Sequence, residues 1–583
     1  MKRAAVPVLL LVLGFLVILP VSVLAIGSFL TIPPRALHFD LTGLTLANYR
    51  AALTEDRFGH LLGATVGLAG VGTAGAVVIG AALAFLAVRT DIPGRRALEA
   101  VAVMPMFVPP LVGAFAWDIL ASPRSGIINV LLRAAGVRQS VNVYSVAGIG
   151  FVFAIYYCPY VVLFGAAALR NIDAALEEAA CMAGASRLRV ALNVTLPLVA
   201  PALLSAALLV FVLLIELFSI PAVLAEPGNI HVLSVRIWEL VGFSPPKVNE
   251  ASAFGVLLLL ITVALVLAQH HVLARRGYVT VTGKGSRAEP IALGRWRWPL
   301  AILGFAYLGV AVVLPFLALL LIALRRNLFF TTLRALANPT QYTIAQFATA
   351  FGDPVVRQAL ANSLLVAVAT VGLGGILYFA VAYTVHRTEA RGRRALDIVA
   401  VMPVAIPGLI IGLGYLWSWI TLPIGLYGTL WIIILAYISQ FSPQGVRAIA
   451  GSLVQIHPEL EESSRLSGAG AFTTILRIVV PLARPGIASA MVLLLVLSFR
   501  EFATALFLYT SGTQVFSLAM FDLWERGSTS LVAVMALVQA GLLFVIVLAG
   551  QVLSGRLDRK DRPEWTPRRS RGTRWRFRLS GGA

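Results

Sequence analysis

Glu178-Ala179-Ala180, then Gly184, then Leu196-Pro197: this stretch has a second copy further along the chain, Glu462-Ser463-Ser464 with Gly468 and Pro481. In both copies thirteen positions separate the glycine from the proline. Each copy is a polar interruption between long apolar runs. A small-residue helix presented twice, at matching places in two successive blocks, reads as one element of a duplicated membrane fold.

Composition agrees. Of 583 residues, 59% are hydrophobic and 12% charged, where a soluble chain of this length carries roughly 25% charged residues. Mean hydropathy is +0.89. Runs of about twenty apolar residues, each able to cross a ~30 Å hydrocarbon core, recur throughout. Twelve spans are expected, at 8–30, 61–88, 97–121, 145–169, 198–224, 251–273, 298–324, 359–386, 395–421, 424–446, 482–508 and 530–553. The fold class is therefore all-α and integral to the membrane.

Basic residues supply the orientation. Arg89, Arg95 and Arg96 follow span two, Arg275 and Arg276 span six, Arg387 and Arg391 span eight, and Arg556 and Arg559 span twelve. All follow even-numbered spans, so the positive-inside rule puts these loops, both termini and the two motif copies in the cytosol. The net charge of +20 thus reflects topology, and nucleic acid is not an expected partner. The first apolar run, with Val23-Leu24-Ala25 as a poor cleavage site, is expected to stay as a span.

The two blocks match residue by residue. Gly94-Arg95-Arg96-Ala97-Leu98 and Val101-Ala102-Val103-Met104-Pro105 reappear as Gly392-Arg393-Arg394-Ala395-Leu396 and Val399-Ala400-Val401-Met402-Pro403, a shift of 298. Between the third span and the motif the shift falls to 284, so the first block carries about fourteen extra residues near 122–143. Six spans per block make the repeats parallel, related by an axis along the membrane normal. The expected division is 1–273 and 298–553 for the two six-span halves, with a linker at 274–297 and a basic tail at 554–583.

Within each motif, Asp173 can cap a helix over 173–184, and Pro458 suits the first turn of one over 457–468. Gly184 and Gly468 fall where such a helix must turn, and Pro197 and Pro481 restart a helix at the membrane. Ala179, Ala180, Ser463 and Ser464 leave one side nearly bare, suited to lie in a groove of a soluble partner.

These motifs resemble the signature loop of permease subunits of type I ATP-binding-cassette importers. The likeness extends from about Leu46 to Leu553. Two fused six-span halves with proline-rich third spans are most similar to ferric-iron permeases, with thiamine, polyamine and aminoalkylphosphonate permeases close by. The departure is Ser463-Ser464 in place of two alanines; serine is also small. The resemblance implies that both motif helices couple to an ATPase dimer, and that a periplasmic or extracellular binding protein delivers the substrate. A nucleotide-binding loop is missing, since Thr282-Gly283-Lys284-Gly285 lacks the upstream glycine and the hydroxyl residue. ATP is thus expected on the partner, with no catalytic, cofactor or metal site on this chain.

Charges inside spans are costly and count as functional candidates. Glu216 in span five and Arg500-Glu501 in span eleven occupy nearly equivalent positions, and Asp118 lies near the outer end of span three. They either face a central pathway or pair with one another to lock helices. Tyr156, Tyr157 and Tyr160 offer oxygens to a cation, or pack between helices. Cys158 and Cys181 read as small helix residues, and His270-His271 as a surface pair. An ion-coupled secondary transporter would need a buried relay of ionisable groups, which the few intramembrane charges do not provide.

Overall fold

The computed structural model describes residues 2–35, 43–55, 58–275, 290–326 and 332–560. The core of the 274–297 linker and most of the basic tail therefore lie outside the described residues. Among those described, all regular structure is helical, apart from isolated bridges such as Thr90 with Ile291.

Among the described residues, eleven of the twelve expected spans have a membrane-length counterpart; span ten does not, its apolar helix Leu430–Gln440 being too short. Nine are single helices long and apolar enough to cross a membrane, from Ala5–Gly27 to Thr529–Val552. Spans three and nine are instead bent pairs, Arg95–Phe107 with Pro110–Ala121 at 94°, and Arg393–Ala405 with Gly408–Thr421 at 109°. The cause is local. Val108 and Ile406 precede prolines, which push the preceding residue into extended backbone, and both adopt it, with ψ of 125° and 111°. Span ten is interrupted at Phe441, between Leu430–Gln440 and Ser442–Val454. The expected spans 198–224 and 482–508 stop early, at Glu216 and Arg500, where Leu217 and Glu501 turn extended. The fourteen extra residues of the first half include a short helix, Ile127–Ala134.

Prolines leave a second signature. Pro20, Pro197, Pro315 and Pro481 each stand two residues after a five-residue π turn, at Gly14–Ile18, Ala191–Thr195, Gly309–Val313 and Ile475–Val479. A proline inside a helix lacks an N–H and presses on the carbonyl four residues back; a widened turn accommodates both faults without breaking the helix. Pro197 and Pro481 thus do not restart a helix from a loop. Each sits where a π turn hands over to α-helix, in helices that run on to Glu216 and Arg500.

The first span of each half packs on the other half. Ala5–Gly27 lies against Gly408–Thr421, and Gly294–Ala323 against Pro110–Ala121. Small residues permit the crossing: a Cβ on Gly414 would stand 2.7 Å from the Pro20 carbonyl, and one on Gly27 2.8 Å from the Trp417 ring. The Tyr415 hydroxyl donates to the Leu16 carbonyl at 2.8 Å, a buried bond linking the two halves.

Candidate functional site

The two motif helices are Ala174–Met182 and Pro458–Leu466. Asp173 accepts from the Ala175 amide at 3.1 Å, capping the first. The second has no side-chain cap; Pro458 fills its first turn, and Glu459 and Glu461 lie where the helix dipole favours negative charge. Both helices end alike. Gly184 and Gly468 take φ of +87° and +85°, and the amides of Ala185 and Ala469 return to the carbonyls of Ala180 and Ser464 at 3.1 Å. Nothing lies within 4 Å of where a Cβ would stand on either glycine. Backbone conformation, and not space, requires glycine there.

Each helix is anchored by the residue before the motif glutamate. Glu177 meets Arg89 at 3.0 Å, and Glu461 meets Arg387 at 2.7 Å. Arg89 and Arg387 are the last residues of the second and eighth spans, and the repeat shifts make the two pairs equivalent. The first contact is ionic, without hydrogen-bond alignment, and Glu177 also accepts from the Thr195 hydroxyl at 2.7 Å. In the second, Arg387 Nε donates to Glu461 at 2.8 Å and Nη1 to the Ile456 carbonyl at 2.8 Å. The Tyr383 hydroxyl and Arg465 complete that cluster, at 2.8 and 3.3 Å.

What the anchors leave outward is the rest of the motif. Glu178, Ala179, Gly184, Glu462, Ser463 and Gly468 are exposed, as is Pro197. Ala180, Ser464 and Pro481 are partly covered, and the Ser464 hydroxyl bonds that of Thr474 at 2.9 Å. Beside the small residues stand large apolar ones at matching positions. Leu176 and Leu460 are exposed, and Met182 and Leu466 are 86% and 89% exposed. Among the described residues, these faces have no partner.

At the far ends of spans five and eleven the halves meet on their pseudo-two-fold axis. Phe218 and Phe502 are repeat equivalents, and their rings stack at 5.5 Å. Trp238 and Phe521, a second equivalent pair, touch at 5.7 Å, and Phe521 contacts both axial phenylalanines. Equivalent residues touch each other only where the axis runs between them. The aromatic cluster therefore closes the axis.

The four candidate pathway residues separate around this cluster. Glu216 and Arg500 are exact repeat equivalents, each the last residue of its span, and they carry opposite charge. Arg500 donates to the Met106 carbonyl at 2.5 Å, reaching from the second half into the break of span three. Glu501 closes its own turn, accepting from the Thr504 amide and hydroxyl at 3.0 and 2.9 Å. Asp118 accepts from the Tyr144 hydroxyl at 2.5 Å, tying the end of span three to the start of span four. Burial, and then the Asp118 charge, push the Tyr144 phenol up, so it remains a donor. No ion pair joins Arg500, Glu501 and Glu216 among the described residues, so mutual pairing does not lock these helices. Glu216 alone of the four keeps a buried carboxyl oxygen without a hydrogen-bond partner. Tyr157 stacks on Tyr160 at 6.0 Å, within electrostatic reach of Arg500, Glu216 and Glu501. Tyr156 is buried with its hydroxyl unbonded, Cys158 is buried against Tyr307, and Cys181 is exposed on the first motif helix.

The anchoring arginines and Glu177 and Glu461 were not singled out as a pair from sequence. Their signal was there: both arginines and both glutamates hold their places across the repeat.

Two parallel sets of spans, two equivalent motif helices and an axis between them define a membrane permease built by duplication. The chain belongs to the family of binding-protein-dependent transport system inner membrane components, whose description matches twice, at residues 76–277 and 371–562. It is similar to the ferric transport system permease protein FbpB of Actinobacillus pleuropneumoniae, with 27% identity over 475 residues, 80% of this chain and 67% of that one. A putative FbpB of Haemophilus influenzae is likewise 27% identical over 442 residues, 74% of this chain and 68% of that one. A putative 2-aminoethylphosphonate permease, PhnV, of Salmonella typhimurium matches at 25% over 38% of this chain and 83% of its own length. Among solved structures, a bacterial ABC transporter importing alginate aligns with 44% of this chain and 94% of its own, at 20% identity and a TM-score of 0.37.

Proposed function

We propose that this permease passes ferric iron, delivered by an extracytoplasmic binding protein, with both termini and both motif helices in the cytosol. Helices Ala174–Met182 and Pro458–Leu466 each seat in one subunit of an ATP-binding-cassette ATPase dimer. The observation that carries this is the outward face of each helix, where exposed Met182 or Leu466 stands beside a bare small-residue surface. A solvated loop helix would not keep such side chains almost fully exposed at matching positions in two halves.

Closure of the ATPase dimer draws the two helices together. Arg89–Glu177 and Arg387–Glu461 transmit that movement to spans two and eight, because a buried ion pair resists separation. The axial rings of Phe218 and Phe502 then part. The chain holds no cofactor in this scheme, and ATP binds the partner. Similarity to ferric permeases along most of the chain supports iron, whereas the phosphonate permeases match one half. Arg500 spends one N–H on the Met106 carbonyl and keeps its charge, which would also suit an anionic cargo such as a phosphonate.

The test is uptake of labelled ferric iron by cells lacking the chain, with and without its restoration and with ATP depleted. Restored, ATP-dependent uptake is the expected result. Uptake that survives ATP depletion would mean an ion-coupled transporter. Absent iron uptake would remove iron and move the assay to aminoalkylphosphonate, thiamine and polyamines.

A further inference from the structure

The two halves differ at the motif-side ends of their spans. In the first, an apolar groove of about 470 Å³ runs between spans two, four and five, walled by Ala81, Phe85, Gly165, Leu196 and Leu203 and by the returning linker at Ile291–Leu293. In the second half bulkier residues stand at two of the positions that wall it. The equivalents of Ala81 and Gly165 are Phe379 and Ile449; Ile449 is fully buried and Phe379 stacks on Tyr383 at 6.2 Å. Ala84, Ala166, Leu169 and Val199 form the groove's floor, a small cluster separate from the main core.

Against the preceding residue of the same linker stretch lies a cationic pocket of about 500 Å³, lined by Arg95, Arg96, Arg297 and Pro290. The linker is fixed by backbone bonds, Ile291 N–H to the Arg89 carbonyl at 2.8 Å and Asp91 N–H to the Ile291 carbonyl at 3.2 Å. Asp91, the one acidic residue among the described lining, spends a carboxyl oxygen on the Leu293 amide at 2.9 Å. The three arginines make no ion pair among the described residues. An apolar slot opening between membrane helices, next to unspent guanidinium groups at the membrane boundary, matches one kind of molecule in both chemistry and position.

The geometry points to a single anionic phospholipid bound in the first half only, its acyl chain between Ala81 and Gly165 and its phosphate on Arg95, Arg96 and Arg297. Its chain touches Thr195, the residue that donates to Glu177. The lipid thus braces the first motif helix, and the second half achieves the same with Phe379 and Ile449.

The experiment is native mass spectrometry of the full-length protein, delipidated and then offered phosphatidylglycerol or phosphatidylcholine. One phosphatidylglycerol per chain should be retained in preference to phosphatidylcholine. Ala81→Phe, which copies the second half, should lower retention of both lipids by roughly tenfold or more. Arg96→Gln with Arg297→Gln should abolish the preference for the anionic lipid, a loss of roughly thirtyfold at ~1 kcal/mol for each of the two arginines. Arg393→Gln with Arg394→Gln, in the second half, should change nothing. The proposal is overturned by any of four results: no anionic preference in the wild type, full retention in Ala81→Phe, equal loss in the second-half control, or displacement by inorganic phosphate. The arginine variant lies on an exposed surface and keeps the test decisive should Ala81→Phe fail to fold. None of these readouts depends on the transported substrate.

Discussion

The two halves of this permease anchor their motif helices with the same ion pair but protect it to different degrees. Arg387 and Glu461 are 7% and 6% exposed, and Glu461 gathers Tyr383 and Arg465 as well. Arg89 is as buried, at 6%, but Glu177 is 16% exposed and has one further partner, Thr195. A charge deprived of its partner costs more the less water reaches it. Duplication supplied one device, and the neighbours set its strength in each half.

The largest effect expected from that difference is at the second anchor. Arg387→Gln takes the shortest ion pair from Glu461, leaving it the Tyr383 hydroxyl and the longer, more exposed Arg465 contact. It also gives up the bond to the Ile456 carbonyl, and should cost about 3 kcal/mol, lowering the Tm and abolishing uptake. Arg89→Gln should cost less, because water and Thr195 relieve Glu177. Equal losses of Tm would show that the surrounding residues do not set anchor strength.

The axial pair gives the next contrast. Arg500→Gln gives up a charged hydrogen bond to Met106, an expected loss of about 1.5–3 kcal/mol. Glu216→Gln should leave the Tm unchanged, since the isosteric amide gives up no hydrogen bond that Glu216 makes. A matching fall in both variants would mean that Glu216 has a partner in the folded protein.

Gly184→Val and Gly468→Val should each cost about 1–2 kcal/mol of local backbone energy and uncouple ATP hydrolysis from uptake. Because the space around both is empty, alanine should do nearly as much damage as valine. Tight coupling retained in both valine variants would defeat the docking assignment.

The smallest difference concerns the serines. Ser464→Ala loses its bond to Thr474 and should cost about 0.5–1.5 kcal/mol, whereas exposed Ser463→Ala should stay within about 0.5 kcal/mol. Differential scanning fluorimetry of the two variants separates them, and the reverse order would put Ser463, not Ser464, in the fold.

Much of this was legible in the chain. Span positions follow from the length of apolar runs, and the motif turns follow from Gly184 and Gly468, whose positive φ is a local property of the backbone. The breaks in spans three and nine were written in Pro109 and Pro407. The π turns before Pro197 and Pro481 were not anticipated, because a helix can answer a proline by breaking, kinking or widening, and packing chooses among these.

By itself the sequence determined where most of the membrane segments lie, the duplication and the two motif helices, since hydropathy, repeat spacing and turn residues act over short stretches of chain. Tertiary structure decided which charges meet. Arg89 finds Glu177 rather than the motif's own Glu178, and Arg500 finds a backbone carbonyl in the opposite half rather than a carboxylate. It also decided that Phe218 and Phe502 stack on one another. Ion pairs and ring contacts form between surfaces brought together by packing, and no periodicity along one strand of chain records where those surfaces will lie.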